Sequence, residues 1–254
     1  MLGPHGRTAI HAFRYAGLYL RYGRATGTFV SASVLTRDFK PWCASFEPGR
    51  SPINERIPWI TFGALRRVEH MPWTGAKVFE YGSGGSSLFF LDRGCDVTTV
   101  EHDSAWLDRV RSNVRPAAAW TARHEPPAPA AADDQKYLSW FPRYRGLSFK
   151  RYVHALEDYP RGHFDVVLVD GRARAACLGL ASRLVAEDGI VILDNSERPR
   201  YAPAVAALVA DGWQASHFHG PGPYVMNEFW NTTVFARAPA GVARWQPAAA
   251  HGRP

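Results

Sequence analysis

Glu80, Gly82, Gly84 and Glu101 are the residues whose types and spacing could do chemistry. They fall in Lys77-Val-Phe-Glu-Tyr-Gly-Ser-Gly-Gly-Ser-Ser87 and in Val97-Thr-Thr-Val-Glu-His-Asp103. In the first segment an apolar run meets an acid and then a glycine-rich turn; in the second it ends on an acid. Glycines let backbone approach a ligand with no Cβ in the way, and the helix after the turn offers free N–H groups. Glu101 follows Gly82 at close to the ~20-residue spacing expected of a carboxylate that binds a ribose. Together these residues read as half of a site for a nucleoside-containing cofactor.

The turn Gly82-Ser-Gly84-Gly-Ser-Ser87 lacks the third glycine of the G-x-G-x-x-G pyrophosphate fingerprint. Its Glu-x-Gly-x-Gly order resembles motif I of class I S-adenosylmethionine-dependent methyltransferases. Charge supports that resemblance, because a carboxylate beside a pyrophosphate would be repulsive. Adenosylmethionine has an amino group and a sulfonium instead, and the resemblance assigns Glu80 to the amino end, directly or through water. Glu101 would accept both ribose hydroxyls. Tyr81, Ser83 and Ser86 belong to the same turn, and His102 would lie near the adenine or cap the turn before Ser104.

A second constellation is Asp170 in Val169-Asp-Gly-Arg-Ala-Arg174, with Asp194 and Asn195 in Leu193-Asp-Asn-Ser-Glu-Arg198. Both follow apolar runs, so their side chains should emerge where ligands bind in an open α/β sheet, at the carboxyl ends of the strands. Asp170 is expected to touch the cofactor as well. These positions resemble the metal site of cation-dependent catechol-type and caffeoyl-coenzyme A-type O-methyltransferases. That resemblance implies Asp170, Asp194 and Asn195 as ligands of a hard cation such as Mg2+, which lowers the pKa of the attacking hydroxyl. The family's lysine base has no counterpart: Ala173 stands there, between Arg172 and Arg174. An arginine is a poor base, and Arg172 could instead orient a carboxylate, sulfate or phosphate on the acceptor. Without a metal, Asp194 and Asn195 could form an Asx turn or a helix cap. Asp170, Arg172 and Asp194 are the candidate catalytic residues.

The elements that position these groups alternate. Strands are expected at 77–81, 96–101, 118–124, 164–170 and 189–194, with helices at 86–93, 104–113, 173–184 and 201–211. The runs at 164–170 and 189–194 are apolar throughout, as in strands buried on both faces. Segments 213–218 and 231–236 are joined by a short Gly-Pro-rich link with no room for a crossover helix, so they read as an antiparallel pair. The fold class is α/β: a doubly wound, mostly parallel seven-stranded sheet with a C-terminal antiparallel strand, plus a helical N-terminal extension.

Residues 1–76 form that extension, 77–237 the cofactor-binding domain and 238–254 a flexible tail. A proline- and alanine-rich insertion at 125–148 ends in aromatics and has the length of a lid or binding loop. Trp140, Tyr144, Tyr224 and Trp230 could close over a planar acceptor or simply pack. The stretch from Val78 to Arg237 resembles a group of bacterial methyltransferase-like proteins through its four motifs.

The 254 residues suit one decorated α/β domain, and 46% hydrophobic residues suffice for a full core. A formal charge of +7 comes from scattered arginines, which is a thin argument for nucleic acid. The Asn/Asp-Pro-Pro-Tyr/Phe turn of base-amine methylation is absent at Asp170. Three distant cysteines make neither a disulfide framework nor a zinc site, so a reducing, cytoplasmic setting is the default. The stretch 9–24 is too short and charged to span a bilayer; packing on the domain is favoured over a membrane surface. The expected activity is methyl transfer from adenosylmethionine to an oxygen of a small molecule. The rivals are an NAD(P)-dependent oxidoreductase and a non-catalytic nucleotide-binding or membrane-associated scaffold.

Overall fold

The computed structural model describes residues 4–237 and 239–245. Four helices come first: α1 Pro4–Thr26, α2 Ala32–Ala44, α3 Pro52–Glu55 and α4 Phe62–Glu69. Then strand and helix alternate through β1 Lys77–Tyr81, α5 Gly85–Leu91, β2 Asp96–Glu101, α6 Ser104–Arg111 and β3 Trp120–His124. A small ribbon, β4 Ala128–Pro129 with β5 Leu147–Ser148, precedes α7 Lys150–His154 and β6 Val166–Val169. Next come α8 Arg174–Leu184, β7 Ile190–Asp194, α9 Ala202–Ala210, β8 Trp213–Gly220, β9 Trp230–Arg237 and α10 Ala240–Arg244.

The seven-stranded sheet runs β3-β2-β1-β6-β7-β9-β8. β1 pairs in parallel with β2 and β6, and β9 is antiparallel to both β7 and β8. The reversed strand is therefore β9, inserted beside β7. This is the mostly parallel sheet with one C-terminal antiparallel strand expected from the class I methyltransferase resemblance. Strand order switches at β1, which neighbours β2 on one side and β6 on the other, and a crevice opens there at the carboxyl ends of the strands.

Alternation along each central strand divides the core in two. Val78, Val166, Leu168, Ile190 and Ile192 face a layer that includes Leu18, Trp42, Leu65, Trp73 and Phe90. Phe79, Val167, Val169, Val191 and Leu193 face Tyr152, Leu178, Ala181 and Leu208. Burial on both faces explains why these strands read as unbroken apolar runs. The N-terminal helices are thus the cover of one sheet face: Tyr15, Leu18 and Tyr22 of α1 are buried, and the Tyr22 hydroxyl meets His219 Nδ1 at 2.6 Å. No helix among the described residues is long and apolar enough to cross a membrane.

Local structure adds three details. Asp103 caps α6, its Oδ1 accepting from the Trp106 N–H at 3.1 Å. The insertion at 125–148 is folded, with the β4/β5 ribbon and two short 3-10 turns that bury Tyr137 and Tyr144. The expected tail is also structured at its start: α10 brings Trp245 into the core, its ring 5.4 Å from that of Trp73. Residues 246–254 lie outside the described residues.

Candidate functional site

The glycine turn is held by contacts only glycine permits. Gly82 has φ +101°, and a Cβ there would meet the Gly171 backbone at 3.2–3.3 Å. A Cβ on Gly171 would in turn strike the Tyr152 hydroxyl. The loops after β1 and β6 therefore touch backbone to backbone, and the cavity opens around them.

Glu101 ends β2 across from this turn. Its Oε2 accepts from the Ser83 N–H at 2.9 Å and the Ser83 hydroxyl at 3.2 Å. Its Oε1 accepts from the backbone N–H groups of His102 at 2.7 Å and Asp103 at 3.0 Å. The His102 Nδ1 atom is 2.6 Å from Oε1, in ion-pair range but not aligned as a hydrogen bond. Burial alone would raise the Glu101 pKa; the His102 ring and the Ser83 and Asp103 amides outweigh it and hold the carboxyl below its ordinary value. Glu101 is thus ionised. A ligand hydroxyl would compete with Ser83 Oγ or His102 for its lone pairs.

His102 Nε2 lies 2.8 Å from the Tyr144 hydroxyl and 3.4 Å from Arg172 Nε. Because guanidinium only donates, Nε2 is the acceptor, which leaves the ring proton on Nδ1, facing Glu101. Trp106, from α6, donates through Nε1 to the Ser83 carbonyl at 2.8 Å. It ties the turn to α6 and walls the cavity.

Glu80 does not reach that cavity. On β1 it points to the same face as Val78, beneath the turn, and is completely buried. The Thr99 hydroxyl donates to its Oε2 at 3.0 Å, while Oε1 has no partner. Burial pushes its pKa up to about 7, against hydrogen bonds from Ser87, Ser86 and Thr99. Tyr81 points to the opposite face and donates to the Val153 carbonyl at 2.7 Å. Gly84 and Ser86 also lie outside the cavity wall.

The cavity measures about 450 Å3, and among the expected cofactor residues Gly82, Ser83, Glu101, His102 and Asp170 line it. Asp194, Asn195 and Arg172 complete the far side. Of the four aromatics that could close over an acceptor or pack, Tyr144 and Trp230 line it. Tyr224 instead bonds Glu55.

The metal expectation is corrected. Asp170, Asp194 and Asn195 do converge, but the Arg174 guanidinium fills the space between them. Arg174 Nη2 lies 2.8 Å from Asp170 Oδ1. Its Nη1 donates to the Asp194 carbonyl at 2.6 Å and to Asn195 Oδ1 at 3.1 Å. Its Nε donates to the Gly171 carbonyl at 3.0 Å. Asp194 Oδ1 is taken by Trp230 Nε1 at 2.8 Å and the Thr232 hydroxyl at 2.7 Å. A fixed, permanently protonated cation already serves these oxygens. Among the described residues no group of three His, Cys, Asp or Glu side chains has metal-binding spacing. A divalent ion does not fit beside the guanidinium. Burial raises the pKa of both Asp170 and Asp194, more than Arg174 lowers it.

Arg172 and Arg174 differ in direction, which their spacing in the sequence does not display. Ala173 between them is left-handed, φ 47°. That bend starts α8 and sends Arg174 inward, while Arg172 stays at the cavity wall.

No family model matches the chain, and no curated protein matches it. Solved structures do. A methyltransferase from Geobacter sulfurreducens is similar at 12% identity and TM-score 0.49, over 82% of this chain and 96% of that one. A TehB-like SAM-dependent methyltransferase from Corynebacterium glutamicum is similar at 15% identity and TM-score 0.43, over 81% and 97%. A methyltransferase-like protein from Silicibacter pomeroyi is similar at 22% identity and TM-score 0.41, over 72% and 92%. Likenesses this distant carry no weight for donor or acceptor, which rest on the site's own geometry.

The cavity wall offers groups of the kinds a nucleoside cofactor would use. An ionised Glu101 faces the cavity for hydroxyls, Asp170 supplies a carboxylate for cationic groups, and Trp106 and Tyr144 offer flat apolar surface.

Proposed function

We propose that this chain is an S-adenosylmethionine-dependent methyltransferase acting on an oxygen of a small molecule. The observation that carries the reading is the junction of Ser83 with Glu101, which places the glycine turn and the strand-end acid on one cavity wall. Glu101 holds the ribose, and Gly82 and Ser83 let the donor lie close to the backbone. Glu80 supports the turn from beneath, held by the Thr99 hydroxyl, and does not touch the donor. The donor supplies an electrophilic methyl group on a sulfonium.

The acceptor oxygen enters from the side of Asp170 and Arg174. As the oxygen–methyl bond forms, the sulfur–methyl bond breaks and its electron pair returns to sulfur. Asp170, open to the cavity and raised in pKa, takes the hydroxyl proton. Arg174 keeps the resulting carboxylic acid and Asp194 in place. Positioning supplies most of the acceleration in such a transfer.

Incubation with methyl-labelled donor and fractionated small-molecule extract tests this. Label should enter a low-mass product with wild type and not with Glu101→Ala. Label found only in protein or nucleic acid would contradict a small acceptor.

A further inference from the structure

A second cavity of about 240 Å3 adjoins the first and shares Gly171, Arg172 and Arg174 with it. Three separate segments build it: the end of the insertion, the loop opening α8 and the loop before α9. Its wall holds Lys136, Arg172, Arg174, Arg198 and Arg200 and no acidic residue. Arg174 is neutralised by Asp170 and Asp194. Arg198 lies 3.7 Å from Glu197 and 3.8 Å from Glu228. Lys136, Arg172 and Arg200 make no ion pair with any described residue, so three positive charges converge uncompensated.

The arginines are also oriented. Arg200 stacks over Trp140 at 4.2 Å, and Arg172 over Phe141 at 5.0 Å. A guanidinium stacked on a ring face keeps its in-plane N–H groups free for an oxyanion. The cavity also receives the first turn of α8, an eleven-residue helix whose start at Ala173 carries no side-chain cap. Its free N–H groups and positive dipole end favour the same ligand charge.

We propose that this second cavity is the acceptor's anchor, and that the acceptor carries a dianionic phosphoryl group. The inference rests on the donor assignment for the first cavity. One bidentate arginine satisfies a carboxylate; three unpaired cations with a helix terminus match a dianion. The phosphoryl group sits among Lys136, Arg200 and the opening of α8. Arg172 stands at the boundary between the cavities, and the rest of the molecule passes it toward Asp170. Trp140, 56% exposed, leaves ring surface open to a planar part of the acceptor.

Calorimetry on the full chain at low ionic strength tests the anchor with phenyl phosphate, phenyl sulfate and benzoate. Phenyl phosphate should bind most tightly and bind together with adenosylhomocysteine. Lys136→Ala and Arg200→Ala should each weaken it by about tenfold, while adenosylhomocysteine affinity, which also reports folding, stays within about twofold. Failure of wild type to bind phenyl phosphate, equal binding of benzoate, or indifference to both substitutions would overturn the anchor. So would mutual exclusion of phenyl phosphate and adenosylhomocysteine. Loss of adenosylhomocysteine binding in wild type is a different failure: it removes the donor assignment, whatever phenyl phosphate does.

Discussion

Arg174 and Asp170 are joined side chain to side chain at 2.8 Å, and the same guanidinium reaches the Asp194 carbonyl at 2.6 Å. One arginine thus fastens the ends of β6 and β7 at the place where oxygen ligands alone would gather a cation. Removing one member of such a cluster leaves buried charge without a partner. Arg174→Ala should cost about 3–5 kcal/mol in denaturant unfolding. Arg174→Lys should recover only part of that, since an ammonium cannot serve four acceptors spread over two loops.

The same cluster makes a statement about metals. Magnesium should neither raise the melting temperature of wild type nor bind in calorimetry, and methyl transfer should be unchanged by EDTA. Activity that disappears on chelation and returns with magnesium would require Arg174 to move out of the cluster.

Glu80 gives a pH dependence of definite sign. Its pKa is about 7 in the folded chain, above the ordinary carboxyl value of 4.5. The folded state therefore holds the extra proton, and its stability falls as pH rises from about 4.5 through 7. Glu80→Gln keeps the shape without the charge. It should stabilise the protein at pH 8 by up to about 3 kcal/mol and have little effect at pH 4. Asp170 and Asp194 shift in the same direction and remain in both proteins, so the difference between the two unfolding curves reports Glu80 together with its charge repulsion on Asp170. Curves that stay parallel across this range would mean the Glu80 carboxyl is not buried as described.

The two glycines of the turn should respond differently. Gly82→Ala forces a side chain to φ +101° and against Gly171. A loss of about 1–3 kcal/mol and of donor binding is expected. Gly84 has an extended backbone and only Trp106 within 4.0 Å. Gly84→Ala should cost less than about 1 kcal/mol. Urea unfolding of both variants ranks them directly.

Much of this was legible locally. The apolar runs of β6 and β7 and the short Gly-Pro link before β9 fixed strands, burial and one reversal, because each signal sits within a few residues. Glu101 was legible for the same reason: it ends a strand at a set distance from the glycines. What failed depends on direction or on distant partners. Glu80 shares a face with Val78, but nothing near it in the chain says that the cavity lies elsewhere. Arg174 was hidden because one left-handed residue, Ala173, decides which arginine turns inward. Trp106 and Trp230 act on Ser83 and Asp194, 23 and 36 positions away. The basic second cavity joins three loops, so neither composition nor spacing could display it.

The central claim is that the Ser83–Glu101 junction walls a donor site. Calorimetric titration of the full chain with adenosylhomocysteine tests it most directly. One site per chain is expected, with affinity reduced about tenfold or more in Glu101→Ala at unchanged fold. No binding to wild type, or equal binding to Glu101→Ala, would contradict it.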